Sequence, residues 1–338
     1  MQYFITGATG LVGSHLAYRL LQEPGAEVHA LHRAGSDLHF VKKVFAYYQA
    51  QADLLFERIH WHEVDLLDCL EIESVLKKGA VVFHCAAKVS FNPSDRKVLL
   101  EDNPKMTAEM INGALEAQVG RFIHLSSVAA LGRKEGQKEF DEKSDWVESK
   151  RNSNYAKGKY AAELEVWRGM EEGLSAAILN PTIILGPGVW QQGSSKIFDS
   201  LAQGFSFYSE GVNGFVDVRD VAEVAFQLSA GTQQGRYVVS AENRSYKEVF
   251  YLIAEALKVA KPKRKITPFL SNLAWRWEWL KSKLTGKAPL VTKETAATAL
   301  DKNYYRNEKV REELDFKFRP LKESVREIAS FYRQDFPL

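Results

Sequence analysis

The sequence predicts an α/β protein: a doubly wound parallel sheet with helices on both faces, joined to a smaller, mostly helical C-terminal subdomain. Two observations carry that expectation. The chain opens on an apolar run, Tyr3, Phe4 and Ile5, that passes through Gly7, Gly10 and Gly13 straight into a helical pattern of Val12, Leu16, Ala17 and Leu20. Strand-like runs then recur at Glu27–His32, Ile59–Asp65, Ala80–Ala87 and Arg121–Ser127, with helical patterns between them. Such alternation is the mark of parallel strands joined by crossover helices.

The opening strand, turn and helix carry the first chemical signal. Glycines let the backbone turn and approach a ligand without a Cβ in the way, while the free N–H groups and positive dipole end of the following helix attract a pyrophosphate. The implied ligand is a dinucleotide, with Gly7, Thr9, Gly10, Leu11, Val12 and Gly13 as its candidate cradle.

Composition narrows the field. A chain of 338 residues with 45% hydrophobic and 26% charged content can bury a sizeable core and matches an ordinary globular protein. A formal net charge of +2 gives no support to nucleic-acid binding. Cys69 and Cys85 are too few for a disulfide framework and lack metal-type spacing, so a reducing compartment, the cytoplasm, is expected and no metal is. The first strand begins almost at Met1 and no run reaches the length of a membrane span, so neither a cleaved leader nor an anchor is expected.

After the second strand stand His32, Arg33, Ala34, Gly35 and Ser36, where the adenosine ribose of a dinucleotide is usually met. A carboxylate at this place would repel a 2′-phosphate, whereas Arg33 would pair with one, so NADP is favoured and NAD is the alternative. Arg33 also reads as a plain solvated loop charge. Asp65 ends the third strand, where it reads either as a partner of the adenine amino group or as the cap of the next helix.

"TGATGLVG", "VDLLD", "HCAA", "SS" and "YAKGK" together resemble the extended short-chain dehydrogenase/reductase family, also described as NAD-dependent epimerases/dehydratases, over nearly the whole chain. The basic residue after the second strand makes the chain most similar to its dihydroflavonol-4-reductase-like branch, alongside the 3-beta-hydroxysteroid dehydrogenases. The resemblance implies a Rossmann sheet. It also implies that Asp65, Leu66, Ala86, Ala87 and Lys88, and Pro181, Thr182 and Ile183 near the nicotinamide amide, line the cofactor. A homodimer through the helix at 107–118 and the one carrying Tyr155 is likewise implied.

Tyr155 and Lys159 are four residues apart, which puts both on one helical face where an ammonium near a phenol would favour the ionised phenol. Ser127 ends the preceding strand, at the edge where such sheets face their ligand crevice. By resemblance, Tyr155 is the general acid/base, Lys159 holds the nicotinamide ribose and tunes the phenol, and Ser127 polarises the substrate oxygen. Gly132, five residues on, fixes that register on Ser127 rather than Ser126. Two residues depart from the pattern. Gly158 stands where the family often has serine, and close approach to the cofactor is one reason for a glycine inside a helix. Lys88 follows "HCAA" where small or apolar residues are frequent, and reads as a ligand for an anionic substrate group or as a solvated loop lysine.

The second half interleaves two layers. Residues 1–188, with 216–240 returning, are read as the NADP-binding domain, and 189–215 with 241–338 as the substrate subdomain. "AAILNPTIILGPG" reads as one strand ending in a turn, and Asp217 and Asp220 as capping or bracing carboxylates of the helix that follows. In "FLSNLAWRWEWLKSKL", Leu270, Leu273, Trp277, Leu280 and Leu284 share one helix face, widened by Trp275 and Trp279 and preceded by Lys261, Lys263, Arg264 and Lys265. The stripe reads as a lid over an apolar substrate, as a peripheral membrane contact, or as a core helix.

The resulting expectation is an NADP(H)-dependent oxidoreductase interconverting a carbonyl and an alcohol on a small, hydrophobic substrate. A nucleotide-sugar epimerase or dehydratase with tightly bound NAD is the alternative. Gly214 and Phe215 stand against it, because many sugar-nucleotide enzymes carry an arginine-aspartate pair there. A non-catalytic NADP-binding regulator is a third reading, opposed by the retention of Ser127, Tyr155 and Lys159.

Overall fold

A computed structural model describes residues 1–285, 292, 296 and 298–337. Strands β1 (Gln2–Thr6), β2 (Glu27–His32), β3 (Ile59–Glu63), β4 (Val81–His84) and β5 (Arg121–Leu125) alternate with helices, among them α1 (Leu11–Leu20), α2 (His39–Tyr48), α3 (Ala52–Phe56), α4 (Cys69–Val75) and α5 (Asn103–Glu116). After a two-residue strand β6 (Glu139–Phe140) come α6 (Asn154–Glu171) and β7 (Ala176–Pro181).

The side-chain alternation of β1 shows why the sheet needs two helical layers. Tyr3 and Ile5 pack toward α1 and α2 with Leu16, Val44 and Phe45, whereas Phe4 points the other way, onto Ile72 of α4, Met110 and Ile111 of α5 and Val166 of α6. Both faces are apolar, so both must be covered.

The chain then leaves the sheet, which is where the sequence expectation of one strand over 176–185 fails. Thr182 interrupts it, and β8 (Ile183–Leu185) pairs instead with β10 (Val212–Asp217) in a three-stranded sheet completed by β12 (Glu242–Ser245). Between them lie α7 (Lys196–Ala202) and β9 (Phe207–Tyr208); α8 (Val218–Ala230) and β11 (Gly235–Val239) lead back to the large sheet, where β11 pairs with β7. Its seven strands run β11-β7-β5-β4-β1-β2-β3, all neighbours parallel. The order reverses between β1 and β4, the point where such sheets open a ligand crevice.

As expected, Asp217 caps α8 by accepting from the Arg219 amide at 2.8 Å, and Asp220 braces the C-terminal segment through the Arg319 amide. A further core joins Leu185, Trp190, Phe198 and Phe215 to α9 (Tyr246–Leu257) and the C-terminal helix Leu321–Asp335.

β13 (Arg264–Lys265) precedes α10 (Pro268–Thr285), and here the core reading is corrected. Leu273 and Trp277 are 57% and 66% exposed, and Leu270 is exposed beside them. The buried contact comes from Ser271, whose hydroxyl donates to the Ala296 carbonyl at 3.0 Å. The side chains of Trp279, Leu280 and Leu284 lie outside the described residues. Among the described residues no helix is long and apolar enough to cross a membrane.

Candidate active site

The glycine turn closes on itself at the end of β1. Gly7 has φ +67°, in the left-handed region that favours glycine, and a Cβ on it would lie 2.8 Å from the Ala86 Cα. The β1 and β4 loops therefore meet backbone to backbone at the switch point. A Cβ on Gly13 would lie 2.2 Å from the Gly7 carbonyl oxygen, while Gly10 is exposed and stands at the N-cap of α1 with no side-chain cap. The first amides of α1 thus keep no side-chain partner on a bare, open turn, which fits a pyrophosphate approaching backbone N–H groups. Thr9 and Leu11 are partly buried around that turn and Val12 is buried.

Around this cradle the expected cofactor residues are spread along the carboxyl ends of the strands. Arg33 is exposed just after β2, and its side chain makes no ion pair or hydrogen bond among the described residues. Asp65 is exposed after β3 and accepts from the Leu67 amide at 3.0 Å. It is not the cap of the next helix: that is Asp68, which accepts from the Leu70 and Glu71 amides, so four residues separate the strand end from the cap. Leu66 packs against the core. Ala86 and Ala87 are partly buried and the Lys88 side chain is exposed. Pro181 and Thr182 are buried and Ile183 partly so, with the Thr182 hydroxyl turned inward to the Val239 carbonyl at 3.4 Å.

Ser127, Tyr155 and Lys159 converge. Ser127 follows β5 and caps a short helical turn, its hydroxyl accepting from the Ala129 amide at 3.2 Å. The Tyr155 phenol lies near that hydroxyl. Burial pushes that phenol above its ordinary value of 10, and Ser127 pulls it partly back. This corrects the expectation that Lys159 would favour the ionised phenol, because the ammonium is engaged elsewhere. Lys159 is 4% exposed, donates to the Leu125 carbonyl at 2.8 Å, and is itself lowered by burial to about 8. Above the phenol, the Phe91 ring meets Tyr155 edge-on at 5.6 Å, and Phe91 and its neighbour Val89 are exposed apolar side chains.

Gly158 faces the main chain rather than the cofactor cradle. A Cβ there would lie 1.9 Å from the Leu99 carbonyl oxygen, in a π-helical turn over Val98–Asp102 that leads into α5. The glycine lets α6, and with it Tyr155 and Lys159, press against that turn.

Sequence reasoning missed two asparagines that organise the site. Asn103 pins the loop after β4, accepting from the Lys88 amide and donating to the Lys88 carbonyl, both at 2.9 Å. Asn180, within β7, donates to the Ser127 carbonyl at 3.0 Å. The signal for Asn180 was a lone polar residue in the otherwise apolar run "AAILNP", which no strand core accepts without a partner.

Residues 3–240 match the NAD dependent epimerase/dehydratase family. A Synechocystis sp. protein named as a dihydroflavonol 4-reductase is 27% identical over 98% of this chain and 94% of its own. Sterol demethylase protein B of Methylococcus capsulatus is 28% identical over 80% of this chain and 79% of its own. The crystal structure of gox2253 superposes with a TM-score of 0.80 at 28% identity, covering 99% of both chains. With the glycine cradle at the switch point and a match over most of its length, the chain belongs to the NAD dependent epimerase/dehydratase family, the extended short-chain dehydrogenases/reductases, and is an NAD(P)-dependent enzyme.

Proposed function

We propose that the protein interconverts a carbonyl and an alcohol on a small hydrophobic substrate with NADP(H), Tyr155 being the general acid/base. The observation that carries this is the convergence of Ser127, just after β5, with Tyr155 and Lys159, one turn apart on α6, the Lys159 ammonium reaching the Leu125 carbonyl two residues before the serine. The cofactor, when bound across the α1 cradle, supplies or accepts the hydride. Ser127 donates to the substrate oxygen and holds it against the phenol. For reduction, Tyr155 gives its proton to that oxygen; for oxidation it takes the proton back. Lys159 holds the nicotinamide ribose.

NADP is favoured over NAD by Arg33, free to meet a 2′-phosphate. A hydrophobic substrate is favoured by the exposed Phe91 ring against the phenol and agrees with relatives named for dihydroflavonol and sterol chemistry. It is also favoured by Gly214, where a Cβ would lie 2.4 Å from the Thr182 methyl. No arginine fits where many sugar-nucleotide enzymes use one.

The test is Tyr155→Phe, assayed for NADPH oxidation against hydrophobic ketones, sterol ketones and UDP-sugars. We expect wild-type turnover of an apolar ketone, lost by roughly a hundredfold or more in the variant, with NADPH affinity kept. Turnover that survives in Tyr155→Phe, or UDP-sugar as the sole substrate, would overturn the reading.

A further inference from the structure

Beneath Ser127 lies a chain of buried polar groups to which the proposed acid–base chemistry gives no role. Asn180 of β7 uses both amide protons: one goes to the Ser127 carbonyl at 3.0 Å, the other to Glu163 Oε1 at 2.5 Å. Glu163, on α6, is fully buried. Its other oxygen accepts from Arg236 Nε of β11 at 2.7 Å, so the carboxylate is paired and hydrogen-bonded, as a buried charge must be. Tyr155, Lys159 and Glu163 follow one another at intervals of four and form one stripe of α6. The strand end that carries the serine is therefore held at two carbonyls by that stripe, Leu125 by Lys159 directly and Ser127 by Glu163 through Asn180.

We propose that Asn180, oriented by Glu163 and Arg236, is a positioning residue that fixes the Ser127 main chain and thereby keeps its hydroxyl facing the Tyr155 phenol. This rests on the acid–base reading of Ser127 and Tyr155. An amide, rather than a carboxylate or a hydroxyl, is required at 180 because two acceptors converge there and only an NH2 group offers two protons. The energetic role of the pair, satisfying Glu163, and the positional role, holding Ser127, are chemically separable.

Asn180→Asp keeps the shape but turns both donors into acceptors. Adding Glu163→Gln restores the lower half of the chain, since the new amide donates to the carboxylate at 180 and its carbonyl still accepts from Arg236. With the carboxyl at 180 ionised, nothing in the double variant donates to the Ser127 carbonyl. The readout is the Cζ resonance of Tyr155 in protein carrying isotope-labelled tyrosine, assigned with Tyr155→Phe and recorded well below each melting temperature, alongside calorimetry. Ser127→Ala should move that resonance by loss of the neighbouring hydroxyl. Asn180→Asp should move it the same way and lower Tm; the double variant should recover Tm and leave the resonance moved. A resonance at the wild-type position in Asn180→Asp, or one that returns together with Tm in the double variant, overturns the positioning role and leaves Asn180 as packing. If Ser127→Ala itself leaves the resonance in place, the contact between serine and phenol is what falls, and the brace with it.

Discussion

Arg33 and Lys159 were both legible as single residues, and tertiary contacts engage the side chain of only one of them. Arg33 stands exposed with no carboxylate bonded to it among the described residues, so its guanidinium is available for a charge-assisted pair with a 2′-phosphate. Arg33→Ala should weaken NADPH binding by about 1.5 to 3 kcal/mol and leave NADH unchanged, which calorimetry of the two cofactors checks; equal wild-type affinities would contradict it. Lys159 shows what spacing cannot disclose. A four-residue interval puts an ammonium and a phenol on one face, but burial and the Leu125 carbonyl decide where that ammonium points and how readily it stays charged. Because its folded value is lowered to about 8, the charged form is complete below that pH and lost above it. Cofactor affinity should fall as pH rises from 7 to 9, and Lys159→Met should be weaker throughout and flat over the same range. Neighbouring Tyr155 and Cys85 are both raised by burial, so neither changes charge in this window.

At the level of elements, strands and helices were legible wherever one period ran unbroken, and opaque where tertiary contacts redirected the chain. β2 matches its expected bounds because its alternation and flanking turns are local. The break between β7 and β8 has no local mark beyond Pro181 and Thr182: it follows from which sheet each half finds to pair with. The stripe on α10 is likewise a true helical periodicity whose direction the sequence leaves open, since an apolar face says nothing by itself about what covers it. Gly158 is the sharpest case. In isolation a glycine in the middle of α6 weakens the helix by about 1 kcal/mol relative to alanine, yet a methyl there would meet the Leu99 carbonyl. Gly158→Ala should therefore lower the melting temperature, at a cost of about 1 to 3 kcal/mol from overpacking, instead of gaining helix propensity. Had the glycine served cofactor approach, alanine would reduce NADPH affinity at unchanged Tm; calorimetry and a binding titration separate the two outcomes.

The whole molecule was legible as a doubly wound sheet with its crevice at the β1 and β4 ends, because that architecture follows from apolar strands alternating with helices. What composition hides is how many of its eight histidines are sealed inside. His15 sits under α2, its two ring nitrogens 2.7 Å from the Leu11 carbonyl and 2.9 Å from the Tyr48 hydroxyl, and burial lowers it to about 4. His84, between Thr6 and Thr107, is lowered to about 3. His124 stacks on His84 with ring centroids 5.4 Å apart, neither of its nitrogens finding a hydrogen-bond partner, and burial holds it well below the ordinary value of 6.5. Partly buried His29, stacked between His60 and His62, is lowered to about 4. In the unfolded chain each of these titrates near 6.5, so below that pH the unfolded state takes up protons that the folded state refuses. Stability is therefore complete above about pH 6.5 and is lost as pH falls, by about 1.4 kcal/mol per unit for each such histidine. Several of them acting together use up a large part of the stability of a typical domain, on the order of 5 to 15 kcal/mol, before pH 5. Paired carboxylates such as Asp217, held low by Arg219 although burial opposes it, lose their contribution only below about pH 4, whereas Asp220 and Glu142 are raised by burial and offset part of the histidine term as they take up protons in the fold. His124 is the one to change, because its ring makes no hydrogen bond that a substitution would break. His124→Leu should flatten the decline of stability between pH 6.5 and 5 by about 1.4 kcal/mol per unit, measured by denaturant melts at each pH. An unchanged slope would mean that His124 takes up its proton inside the fold.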